Sequence, residues 1–263
     1  MLTYSRPKAV IIVLATQLLM SCGGGGSSPS PTPSPSPPPV GASGTDVLTY
    51  HNDNARTGQN LNETTLNTSN VNSNTFGKLF VLPVDGKVDA QPLYVSQFAV
   101  PGHGQRNLVY VATENDSLYA FDADTGSVIW HVSLLGPGET PSDARGCNQV
   151  IPQIGITATP VIDRAGSAIY VVAMSKKGGT YFQRLHALNL GTGAELFGGP
   201  REITATFPGT GNGSSGGSVI FDPKQYKERP GLLLLNGTVY TSWSSHCDIR
   251  PYTGWIIDLA SEI

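Results

Sequence analysis

Ser244, His246 and Asp248 carry the side chains that hydrolysis uses, and they alternate along a strand-like run. Alternation puts all of them on one face, roughly 7 Å apart at a rise of ~3.3 Å per residue. A nucleophile, base and orienting acid must touch in relay, from separated positions in the chain. The spacing therefore favours a polar hydrogen-bonding cluster, with His246 and Asp248 as candidate ligand contacts and no catalytic residue assigned. Gly211, Gly213 and Gly216 fit GxGxxG, but a dinucleotide site needs a strand before and a helix after. A strand pattern follows instead, so the run is expected to be a flexible loop. Cys147 and Cys247 have no CxxC or HxxxH companion, which argues against a metal centre. As the pair left over if Cys22 is modified, they read as a disulfide or as two separate buried thiols. His51, Asp53 and Arg56 lie in a polar segment and are expected to tie that segment to the body.

The elements that must position these groups are short strands. With 31 Gly, 20 Pro and 13% charged residues in 263, the composition suits a turn-rich all-β chain. Residues 109–130, VYVATENDSLYAFDADTGSVIW, hold two alternating patterns, a tight Asp-Ala-Asp-Thr-Gly turn and a closing Trp130. The pattern returns at 169–193 and 239–261, with Tyr110, Tyr170 and Tyr240 in the same place. Leu118 to Asp122 matches Leu185 to Asn189, and more loosely Gly254 to Asp258. Residues 46–77, dense in Asn and Thr, are expected to be ordered loop. Lys78 to Val84 reads as a strand, Asp85-Gly86 as a hairpin turn, and Gln91 to Val95 as a short strand. The runs 138–153 and 224–231 read as inserted loops.

AFDADTGSVIW fits AxDxxTGxxxW and resembles the PQQ-type repeat of quinoprotein propellers; HALNLGTGAELF is a degenerate copy without the first Asp and the Trp. The phrases HNDNARTGQN, DAQPLYV, GITATPVID and SSHCDIRPYTGW resemble bacterial exported proteins carrying this repeat. The resemblance implies an all-β fold, a partial β-propeller of about three four-stranded blades. In it Asp122, Thr125, Gly126 and Trp130 dock blade to blade, and the Ser244–Asp248 cluster sits at a channel mouth. Propellers close with ~4–8 blades, so a chain stopping at Ile263 within a repeat reads as an N-terminal fragment. The resemblance also raises a PQQ-dependent dehydrogenase, with calcium beside the cofactor, oxidising an alcohol or sugar. Such enzymes hold PQQ with adjacent cysteines, which this chain lacks, and their calcium ligands find no match here. The expectation is therefore no cofactor and no metal, and a binding or scaffolding role like that of outer-membrane assembly lipoproteins of the same fold.

The first residues read as an export signal. Arg6 and Lys8 precede the apolar run Ala9 to Met20, too short for a permanent membrane span. Leu19-Met20-Ser21-Cys22 resembles the bacterial lipobox. The organisation expected is a signal peptide at 1–21, a Gly/Ser/Pro linker at 22–45 and a propeller domain at 46–263. Acylated Cys22 would contact membrane lipid. Gly23 lacks the Asp that favours inner-membrane retention, which places the protein in the envelope, at the outer membrane facing periplasm or cell surface. Removing Arg6 and Lys8 with the signal leaves 14 basic against 19 acidic residues, a net charge of −5. Without clustered Lys and Arg, nucleic acid is excluded as a partner, and an envelope protein is the partner class expected.

Overall fold

The computed structural model describes residues 46–260; the signal run, Cys22 and the linker lie outside the described residues. The first blade is a meander of β1 (Leu93–Val100), β2 (Gly104–Ala112), β3 (Ser117–Asp122) and β4 (Val128–Ser133), hydrogen-bonded in that order. The second joins β5 (Thr140–Asp143), β6 (Gln153–Ile154), β7 (Val161–Asp163), β8 (Ala168–Lys177), β9 (Thr180–Asn189) and β10 (Arg201–Glu202). A small sheet of β11 (Thr206–Pro208), β12 (Ser214–Ser215) and β13 (Ser218–Ile220) follows. The third blade comprises β14 (Tyr226–Glu228), β15 (Leu233–Leu235), β16 (Thr238–Ser245) and β17 (Trp255–Ala260). All of these pairings are antiparallel. Among the described residues, no helix is long and apolar enough to cross a membrane.

The core lies between the sheets, and β8 shows why. Its Ile169, Val171 and Ala173 join a cluster with Leu108, Tyr110 and Leu118 of the first blade. Its Ala168, Tyr170 and Val172 join Val239, Trp243 and Trp255 of the third. A period of 2 gives this strand two apolar faces, and each face needs a neighbouring sheet. The recurring tyrosines obey the same geometry. Tyr110 faces the second blade and Tyr170 the third, both buried, whereas Tyr240 points away from that shared core and is half-buried.

Several local expectations need correction. Residues 78–92 form no strand and no hairpin. Asp85 is instead held by side chains, accepting hydrogen bonds from Thr113 Oγ1 at 2.9 Å and Ser117 Oγ at 2.6 Å. Phe80 and Leu82 lie over Gly126, and Leu82 and Val84 cover Val111, Tyr119 and Phe121 on the open face of the first blade. The run 211–216 is not a loose loop, because Ser214–Ser215 pairs with β13. The supposed insertions at 138–153 and 224–231 add strands to their blades: β5 pairs with the far end of β8 beyond β7, and β14 with the far end of β16 beyond β15. The third repeat is also offset from its sequence match. Tyr110 and Tyr170 face Ala120 and Ala187 across the ladder, and Tyr240 faces Asp258. Asp258 thus stands two places before the position of Asp122 and Asn189.

Candidate functional site

The repeat turns are built from carboxylate and amide side chains. Asp122 Oδ1 accepts from the backbone N–H of Asp124 and Thr125, at 2.9 and 3.0 Å, and Gly126 N–H closes the turn on Asp122 O at 2.8 Å. Asn189 repeats this, accepting from Gly191 and Thr192 N–H at 3.0 and 3.1 Å, with Gly193 N–H on Asn189 O at 2.8 Å. Gly126 and Gly193 sit at φ +74° and +69°, the left-handed region that such a turn requires. Thr125 Oγ1 hydrogen-bonds Ser127 Oγ at 2.8 Å. Trp130 lies against Gly193, where an added Cβ would stand 2.7 Å from Cε3. Its Nε1 donates to Leu190 O at 2.9 Å, and Tyr110 Oη donates to the same carbonyl at 3.0 Å, using both lone pairs. The degenerate second repeat has no such anchor, and Phe197 in the Trp position is exposed. Gln183 does the joining there: its amide donates to Tyr226 O at 2.6 Å and Pro223 O at 2.9 Å, and accepts from Trp243 Nε1 at 2.7 Å.

His246 and Asp248 do not continue the strand. β16 ends at Ser245, and His246–Asp248 forms a 3₁₀ turn with Cys247 and Asp248 at φ +52° and +54°. The alternating face expected for Ser244, His246 and Asp248 is therefore lost. His246 folds inward and is buried, and its Nε2 meets Ala144 O at 3.1 Å. A carbonyl can only accept, so Nε2 carries the proton. Burial also holds the imidazole below its ordinary pKa. The ring is thus a neutral structural donor.

Cys147 and Cys247 are joined in a disulfide, Cα to Cα 6.2 Å, across 100 residues of sequence. It straps the 138–153 segment onto the third blade beside His246. Arg145, which donates to Lys224 O, reinforces the strap. The two sulfurs and a His246 nitrogen lie within 4.8 Å of one another. A disulfide offers no thiolate, so this group is not a metal site in its oxidised form.

These elements line an open cavity of about 220 Å³. Lys227 of β14 and Arg229 just after it line it from the third blade, Ser244 to Asp248 from the end of β16, and Gln149 from the strap. Lys227 and Arg229 stand two apart and share a face, while Glu228 turns into the core, where burial raises its pKa well above a normal carboxyl. Lys227 is 2% exposed and its Nζ has no hydrogen-bond partner. Burial lowers that ammonium to about 8. Glu114 of the β2–β3 loop and Asp89 of the segment before β1 act on it without forming an ion pair. Burial raises Glu114 to about 7; the carboxylate accepts from Gly155 N–H at 2.7 Å and Thr157 Oγ1 at 2.9 Å. Of the residues lining this cavity, the sequence singles out His246 and Asp248 and does not point to Lys227, Arg229 or Gln149. The K-E-R alternation was the available clue, concealed by reading 224–231 as a loop.

Antiparallel sheets packed face to face, the first two closed by an Asp- or Asn-headed Gly turn, define a β-propeller repeat protein. Residues 54–153 match the PQQ-type family model described as outer membrane protein assembly factor BamB. No curated protein matches the chain in sequence. Among solved structures, the crystal structure of BamB from Moraxella catarrhalis is similar at 13% identity with a TM-score of 0.21. The match covers 62% of this chain and 62% of that one, so this chain spans less than two thirds of its length.

Proposed function

We propose that this protein is an exported, lipid-anchored propeller that binds a partner of the bacterial envelope and performs no chemistry of its own. The match of residues 54–153 to an outer-membrane assembly factor carries the reading. It is supported by the lipobox-like sequence ending at Cys22 and by the spacer that follows. In this organisation residues 1–21 are removed as a signal, Cys22 is acylated, residues 22–45 hold the body off the bilayer, and residues 46–263 supply the binding surface at the outer membrane. Asp122, Thr125, Gly126 and Trp130 serve as the blade-docking set.

The test is fractionation with site-specific crosslinking in the native bacterium. Wild-type protein is expected in outer-membrane fractions with incorporated acyl chains, and Cys22→Ser in the soluble periplasm. A photo-crosslinker at a surface position of the propeller is expected to trap one discrete envelope protein. Equal fractionation of wild type and Cys22→Ser would overturn the anchor. A melting temperature raised by PQQ plus calcium would replace the binding role with a dehydrogenase.

A further inference from the structure

We propose that the cavity beneath the Cys147–Cys247 strap is a recognition site for a single carboxylate group. The inference deepens the binding role above by naming the chemistry recognised, and its test does not depend on lipidation or on any captured partner.

Lys227 carries the argument. An ammonium that is removed from water and given no acceptor is costly, and native structures seldom retain one without a use. Here Lys227 lines a cavity with its Nζ unpaired. Arg229, exposed beside it, offers a guanidinium fork suited to a planar carboxylate. The Arg229 contact to Gln149 Oε1 is long, at 3.5 Å, and leaves most of its donors available. Ser244 adds a hydroxyl on the same wall.

Charge and size narrow the ligand. Lys227 and Arg229 supply the positive groups of the lining, His246 is neutral, and Asp248 on the rim is acidic. Asp89 and Glu114 offset part of the Lys227 charge from outside the lining, and Asp248 would repel the second charge of a dianion, so the lining favours a monoanion. A cavity of about 220 Å³ is smaller than the ~300–1,000 Å³ that encloses a whole drug-sized ligand. It fits one carboxylate end, either of a free small acid or of an acidic side chain on another protein. The strap fixes this geometry, because the disulfide, the His246–Ala144 contact and Arg145 hold the roof to the floor.

The experiment is calorimetric titration of the full chain, at pH 7 and constant ionic strength, with acetate, succinate, inorganic phosphate and an N-acetylated peptide containing one Glu. Saturable carboxylate binding is expected, weakened at least roughly tenfold in both Arg229→Gln and Lys227→Met. Phosphate, partly dianionic at pH 7, is expected to bind more weakly than acetate. Arg229 is exposed, so Arg229→Gln leaves the fold intact even where Lys227→Met does not. Tighter binding of the Glu peptide than of succinate identifies a protein chain as the source, and the reverse identifies a free acid; either supports the site. Absence of saturation, equal binding by wild type and Arg229→Gln, or a preference for phosphate overturns the proposal.

Discussion

Gly193→Ala should be among the most damaging single-methyl changes available in this chain, and Trp130 should be the reason. Two costs add at this position. The backbone sits at φ +69°, where an L-residue costs ~1–2 kcal/mol. The new Cβ would also stand 2.7 Å and 2.9 Å from Trp130 Cε3 and Cδ2, and 3.1 Å from Val132 Cγ1. Overpacking of that kind costs ~1–3 kcal/mol, so the total is roughly 2–5 kcal/mol. Gly58→Ala is the control. It has nearly the same backbone, φ +70°, but its nearest neighbour is 3.9 Å away, so it should show only the ~1–2 kcal/mol of conformational strain. Trp130→Ala alone should cost ~3–5 kcal/mol. In that background Gly193→Ala should fall toward the Gly58→Ala value, leaving a coupling of ~1–3 kcal/mol between the two positions. Urea unfolding followed by far-UV circular dichroism reads all four proteins without relying on the tryptophan removed. Equal costs for Gly193→Ala in both backgrounds would mean that Trp130 does not press on this turn, and the docking account of the repeat would fail.

Three further outcomes follow from other contacts. Glu114, raised from 4.5 to about 7 by burial, keeps in the folded state a proton that the unfolded chain has already lost, so it lowers stability as pH rises across that window. Glu114→Gln should flatten the fall in melting temperature between those pH values; an unchanged slope would show that the group does not titrate there. Replacing both Cys147 and Cys247 by Ser opens a loop of 100 residues and should cost ~2–5 kcal/mol, measured by the urea midpoint under oxidising conditions. No change in midpoint would mean that the strap contributes only locally. Arg56 donates to Thr49 Oγ1 and Tyr50 O at 2.6 and 2.8 Å, and to Gly231 O and Leu232 O at 3.3 and 2.8 Å. Arg56→Met should cost roughly 2–3 kcal/mol and expose the segment around Tyr50 to protease, with unaltered cleavage kinetics as the contrary result.

What could be read from the sequence was what repeats locally. The Asp-x-x-Thr-Gly turn is encoded by side chains bonding their own backbone within a few residues, so Asp122 and Asn189 correspond on sequence alone. Alternation in 169–172 gave a strand but not its two buried faces, because a doubly buried strand has no polar side to reveal its orientation. Lys78 to Val84 shows the converse. It alternates like a strand, yet its flanking Asp85 is satisfied by Thr113 and Ser117, and its apolar residues cover a blade face instead of joining a ladder. The cavity was the least legible feature, for a related reason. Its roof and floor come from segments about 80 residues apart, Gln149 and Arg229 among them, and only the strap brings them together. Each half reads as a polar surface loop when taken alone. Joined, they bury an ammonium against an opening, and that combination gives the site a chemical preference that neither segment carries by itself.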